Sequence, residues 1–266
     1  MAKGSNLNRV VLKIGSSTLT HSQGLANIRA MEQLVKVISD IKNSGKEIII
    51  VSSGAVAIGM GKMGMQKRPA DIPSKQAIAA VGQCELMYLY DKMFSVYHHT
   101  VAQILLTADI NENEELLGNV QNTFRSLLEM KVIPIVNEND SVYIAELTIG
   151  DNDNLSALVA QMVEADALII LSDIDGLYTA NPANNAAAQL IEEVGLIDAS
   201  IHALAGGVSS NRGTGGMVTK IQAAQYAQNH DISTYIISGK KPERLYDLFE
   251  GKSVGTYFKK RSEIHA

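Results

Sequence analysis

Short apolar runs recur along this chain, each closed by a cluster of small or polar residues. That alternation constrains the fold more than any other feature. The runs are Arg9-Val-Val-Leu-Lys-Ile14, Glu47-Ile-Ile-Ile-Val51, Val101-Ala-Gln-Ile-Leu-Leu106, Val132-Ile-Pro-Ile-Val136, Ala167-Leu-Ile-Ile-Leu171 and Ser233-Thr-Tyr-Ile-Ile-Ser238. Their length and β-branched content predict buried strands, with Pro134 marking a special position in the fourth. Helical periodicities fill the intervals. Asn27 to Asn43 places Ile28, Met31, Leu34, Val35, Ile38 and Ile41 on one face, and Leu155, Leu158, Val159, Met162 and Val163 repeat the pattern later. Further helices are predicted from an N-cap at Ser74 to Met93, over Phe124–Met130 and over Ile221–Asn229, with a loop over Asn111–Gly118. Strands alternating with helices give an α/β fold: a three-layer α/β/α sandwich around a central, mostly parallel open sheet. No linker or repeat interrupts the pattern, so a single domain over residues 1–266 is the expectation.

With aromatics at 5% and no Trp, that core must be aliphatic. The formal net charge of -5 argues against nucleic-acid binding as the main activity. A single cysteine, Cys84, excludes an intrachain disulfide and fits a reducing compartment; its helical setting predicts a buried structural thiol. Met1-Ala-Lys-Gly-Ser-Asn-Leu-Asn8 lacks the apolar core of a signal peptide, and no apolar run approaches the roughly 18 residues of a membrane span. A cytoplasmic protein that engages no membrane is expected.

The polar clusters after the runs fall where open parallel sheets bind ligands, at the carboxyl ends of the strands. Lys13 is a charge embedded in an apolar strand; it either snorkels from an edge or meets a buried anion. Gly150-Asp-Asn-Asp-Asn154 feeds the helix from Leu155, and its two carboxylates and two amides exceed what one N-cap requires. Gly213-Thr-Gly-Gly-Met-Val-Thr-Lys220 offers backbone N–H groups and a lysine at a helix start, a phosphate-binding arrangement, although no Walker A motif occurs in the chain. Gly59-Met-Gly-Lys-Met-Gly64 spells G-x-G-x-x-G but follows its strand too late for a dinucleotide site, and reads as a flexible connection. Asp151 and Asp153 do not continue into an EF-hand, and the histidines have no metal-ligand spacing. No protein-held metal site is assigned.

Taken in order, Lys13-Ile-Gly-Ser-Ser, Val51-Ser-Ser-Gly-Ala, Asn137-Glu-Asn-Asp140, Gly150–Ala157, Asp175-Gly-Leu-Tyr-Thr179 and Gly213–Lys220 resemble the amino acid kinase family. The resemblance is greatest to members that phosphorylate the γ-carboxylate of L-glutamate at the head of proline biosynthesis. It implies that Lys13 and Lys220 neutralise charge on the transferring phosphoryl group and that Asp153 holds them in place. Ser53, Gly54, Asp140, Asp151 and Asn152 then bind glutamate. Lys13, Ser172, Asp173, Thr214, Gly215, Gly216, Met217, Val218, Thr219 and Lys220 bind ATP, which brings Mg²⁺. Also implied are L-proline as a feedback inhibitor, a homo-oligomer and contact with glutamate-5-semialdehyde dehydrogenase. The PUA domain carried by many such enzymes is not expected here. Kinases of acetylglutamate, aspartate, uridylate or isopentenyl phosphate share the implied fold and remain open, as does a non-catalytic sensor built on it.

Overall fold

The computed structural model of the protein describes residues 7–142, 152–206 and 216–264. Its elements run β1 (Arg9–Ile14), α1 (Ser16–Leu19), α2 (Ile28–Asn43), β2 (Glu47–Ser52), α3 (Ala55–Lys62), α4 (Ile72–Ser95), β3 (Val101–Leu106), a 3₁₀ turn (Ala108–Glu112), α5 (Glu114–Glu129) and β4 (Ile133–Glu138). They continue as α6 (Asn152–Met162), β5 (Ala167–Ser172), β6 (Glu193–Val194), α7 (Ala199–Gly206), α8 (Met217–Asn229), β7 (Ser233–Ser238), α9 (Arg244–Phe249), β8 (Thr256–Phe258) and α10 (Arg261–Ile264).

The strands form one eight-stranded sheet in the order β3-β4-β2-β1-β5-β7-β8-β6. Every pairing is parallel except β7 with β8. Because side chains alternate along a strand, the sheet sorts its residues into two aliphatic cores. Val11, Ile49, Val51, Leu168, Ile170 and Ile236 pack with residues of α5, α6 and α8 on one face. Val10, Leu12, Ile14, Ile48, Ile50, Ile169, Leu171 and Ile237 pack with α2, α4 and α9 on the other. This is the expected three-layer architecture. Pro134 lies inside the sheet rather than at its edge. Its ladder to β2 begins one residue later, at Ile135, so the missing N–H interrupts no pairing on that side.

Several local expectations are corrected. The segment read as a flexible connection is largely helical, since α3 runs through Gly59 and Gly61 to Lys62. Its glycines serve close packing. A Cβ at Gly59 would stand 2.1 Å from the Ile78 carbonyl oxygen, and one at Gly82 only 1.7 Å from that of Ala55. Helices α3 and α4 thus touch backbone to backbone, which no alanine would permit. Helix α4 begins earlier than Ser74, because Asp71 is the N-cap and its side chain accepts the Ser74 N–H at 2.9 Å. Part of the Asn111–Gly118 loop is the capped start of α5, where the Asn113 side chain accepts the N–H groups of Glu115 and Leu116. Cys84 is exposed, lying on the side of α4 away from the core.

Candidate active site

Five parallel strands, β1, β2, β4, β5 and β7, deliver their carboxyl ends to one edge of the sheet. Lys13 is the penultimate residue of β1, in register with Val51 of β2 and Ile170 of β5. It is therefore central rather than at an edge, which removes the snorkelling alternative. Alternation puts it on the same face as Val11, towards α6 and α8.

Its counter-anion is Asp153, in the first turn of α6. Lys13 Nζ lies 2.7 Å from Asp153 Oδ1, and Lys220 Nζ, from the first turn of α8, lies 3.0 Å from Oδ2. The Thr219 hydroxyl donates to Oδ2 at 2.7 Å. The Asp153 side chain has no solvent exposure, and those of the two lysines have 8% each. Burial alone disfavours the charged carboxylate, but the two ammonium groups and the hydroxyl outweigh it and hold Asp153 well below the usual carboxylate range. Two cations around one anion leave a net positive charge, set between the N-termini of two helices whose dipoles also favour anions.

Beside this cluster, Asn152 faces the other way along the sheet edge. Its Nδ2 donates to the Ser52 carbonyl oxygen at 3.0 Å, the Ser53 hydroxyl at 3.0 Å and Asn137 Oδ1 at 2.9 Å. Gly54 follows Ser53 with φ of 105°, a left-handed conformation that turns the chain from β2 into α3 and that a side chain would strain. Asp140 stands just beyond the end of β4; burial raises its carboxyl to about 6, against the opposing charge of Arg68. One edge of the sheet therefore carries a cationic subsite and a neutral, hydrogen-bonding subsite, with Asp153 and Asn152 as adjacent residues of one turn.

Ser172 closes β5, where its hydroxyl donates to Asp173 Oδ1 at 3.2 Å and its carbonyl accepts the Gly239 N–H at 2.7 Å. The two pair with each other on the strand next to β1, outside the hydrogen bonds of Asp153. Gly216 caps α8, Met217 is buried beneath it and Val218 is exposed. Asp151, Thr214 and Gly215 lie outside the described residues. Sequence reasoning placed Thr219 with the nucleotide but not on Asp153. It missed Gln83 and Tyr90 altogether. Tyr90 OH lies 3.0 Å from Ser52 Oγ, and Asn137 Nδ2 donates to Gln83 Oε1 at 2.9 Å. The available signal was a glutamine on the apolar face of α4 shared by Ala79, Leu86 and Tyr90.

The description "Amino acid kinase family" matches the chain over residues 8–238. Its sequence is 52% identical to glutamate 5-kinase of Clostridium perfringens over 94% of each chain. It is 47% identical to glutamate 5-kinase of Listeria innocua over 97% of this chain and 95% of that one. Among solved structures, carbamate kinase from Giardia lamblia bound to AMP-PNP superposes with a TM-score of 0.67 at 16% identity, covering 96% of this chain and 99% of that one. The T. acidophilum isopentenyl phosphate kinase product complex gives 0.63 at 18% identity, covering 95% and 100%. At such identities the structural likeness speaks for the fold alone. Sheet order, strand-end clusters and sequence agree: the chain belongs to the amino acid kinase family, and the sequence relatives named above are its glutamate 5-kinases.

Proposed function

We propose that the chain transfers the γ-phosphoryl group of ATP to the γ-carboxylate of L-glutamate, forming ADP and L-glutamyl 5-phosphate, the first step of proline biosynthesis. One observation carries this reading: Asp153 is clamped between Lys13 and Lys220 while its neighbour Asn152 faces Ser53. A γ-carboxylate, with pKa about 4.3, is ionised at neutral pH and attacks phosphorus without a general base. The barrier lies instead in bringing that anion to a polyanion and stabilising the charge spread over the phosphoryl oxygens. Lys13 and Lys220 supply fixed positive charge for this, and the start of α8 adds backbone N–H groups. Asp153, held ionised far below neutral pH, sets the position of the two ammonium groups and takes no proton.

Ser53, Gly54, Asp140, Asp151 and Asn152 hold glutamate, and Asp140 provides the anion for its α-ammonium group. Ser172, Asp173 and the segment Thr214–Lys220 hold ATP. Both Asp153 oxygens already face ammonium groups, and among the described residues no group of three or more His, Cys, Asp or Glu is placed to hold a metal. The residues therefore fit a Mg²⁺ carried on the phosphates by the nucleotide and its waters, where it offsets phosphate charge. L-Proline as feedback inhibitor, homo-oligomeric assembly, contact with glutamate-5-semialdehyde dehydrogenase and a cytoplasmic location complete the reading. Among the described residues no helix is long and apolar enough to cross a membrane.

The test is incubation with ATP, Mg²⁺ and hydroxylamine against a panel of acceptors. Hydroxamate should form with L-glutamate and not with aspartate or N-acetylglutamate. Turnover confined to another acceptor would overturn the assignment.

A further inference from the structure

Resting on the function proposed above, we infer that Gln83 is a positioning residue for the acceptor subsite, acting through Asn137 on Asn152. The three side chains form a buried relay from the middle of α4, through the end of β4, to the first turn of α6. Gln83 is 9% exposed, and Asn137 and Asn152 are 2% exposed each.

The direction of the relay is fixed by one atom. The Ser52 backbone carbonyl only accepts hydrogen bonds, so the Asn152 atom facing it must be Nδ2. Asn137 must then present Oδ1 to that nitrogen, which leaves its Nδ2 to be received by Gln83 Oε1. Without the glutamine acceptor the Asn137 amide keeps only its hydrogen bond from Asn152 and is left with a buried donor unsatisfied within the relay, so it is held less firmly in the orientation that Asn152 needs. Gln83 thus locks Asn137 in the orientation that the Ser52 carbonyl imposes on Asn152, and reinforces Asn152 two hydrogen bonds away. The lock directs Asn152 Oδ1, a buried acceptor with no hydrogen-bond partner among the described residues, as the atom left to receive a donor from the ligand. An amino acid offers such a donor in its ammonium group.

The same helix fixes the relay in space. Gly82 lets α4 lie directly on Ala55 at the start of α3, and Tyr90, two turns beyond Gln83, meets the Ser52 hydroxyl. Helix α4 therefore grips the ends of both β2 and β4, which form the acceptor side, and the Gln83 hydrogen bond goes to Asn137 on that side.

The experiment measures L-glutamate affinity by calorimetry on the full chain, together with hydroxamate kinetics, for wild type and for Gln83→Leu, Gln83→Asn and Gln83→Glu. Leu retains volume without an acceptor, Asn withdraws the amide by one bond, and Glu retains the accepting oxygen. Loss of one aligned hydrogen bond should raise the glutamate Kd and KM about five- to tenfold in the Leu and Asn variants. The KM for ATP should stay within about twofold, and Gln83→Glu should recover most of the glutamate affinity. If Gln83→Leu does not fold, Gln83→Asn decides. Equal losses for ATP and glutamate, an unaffected Asn variant, or a Glu variant as weak as the Leu variant would overturn the relay. Wild-type protein that neither binds nor phosphorylates L-glutamate would instead defeat the functional assignment beneath it.

Discussion

Replacing Asp153 by Asn removes one charge and almost no volume, so its consequences are electrostatic. In the native cluster the lysine nitrogens sit 2.7 and 3.0 Å from the carboxylate oxygens, with both lysines almost wholly buried. At an effective dielectric constant of about 20 each contact is worth about 6 kcal/mol before desolvation is subtracted. Deleting one partner from a buried ionic cluster costs about 3–5 kcal/mol net, because the remaining charges stay buried with less compensation. Against a total stability of about 5–15 kcal/mol, that loss is readily seen in a urea titration. The pH dependence carries the signature. Asp153 has a folded pKa below its unfolded value, so its contribution is present above the unfolded pKa near 4 and is lost as pH falls through the folded one. The Asn variant lacks this component. In the hydroxamate assay, kcat should fall about 10²–10³-fold, the cost of one misplaced electrostatic stabiliser, with a smaller change in either KM. An Asn variant with wild-type kcat and wild-type urea midpoint would refute the organising role of Asp153.

Other outcomes follow from the same geometry. Lys220→Ala and Lys13→Ala should each reduce turnover at least about 10²-fold while the protein still binds glutamate, read by single-turnover hydroxamate formation and calorimetry. Asn152→Ala should act chiefly on the glutamate KM; an effect confined to ATP would move that residue to the other subsite. Asp140 titrates near 6, so glutamate affinity should fall about tenfold between pH 7 and 5 as the carboxylate is neutralised. In the free protein, its raised pKa makes the buried charge a cost that grows as pH rises through about 6. Asp140→Asn should therefore raise the melting temperature at pH 8 and confer no gain below pH 4. Gly82→Ala should lower stability by about 1–3 kcal/mol through the collision with the Ala55 carbonyl oxygen, measured as a shifted urea midpoint with unchanged slope.

The chain alone determined the layers, because the periods that distinguish strand from helix are local. Six apolar runs and the amphipathic faces between them were readable one segment at a time. Lys13 was legible as well: a cation in an apolar run demands an anion, and the strand-end clusters narrowed where that anion lies. The family resemblance named Asp153 for that anion, but its contact with both lysines is made only where parallel register brings β1 beside β5, with α6 and α8 over both. Local pattern also misled where a residue served a distant neighbour. The glycines of α3 read as flexibility because their purpose, contact with α4, has no trace in their own segment. Gln83 is the extreme case. A single polar residue on an apolar helical face carries no period, and its partner Asn137 is reached only after a crossover through another strand. Sequence fixes what each element buries, whereas buried hydrogen bonds between elements depend on how the folded layers meet.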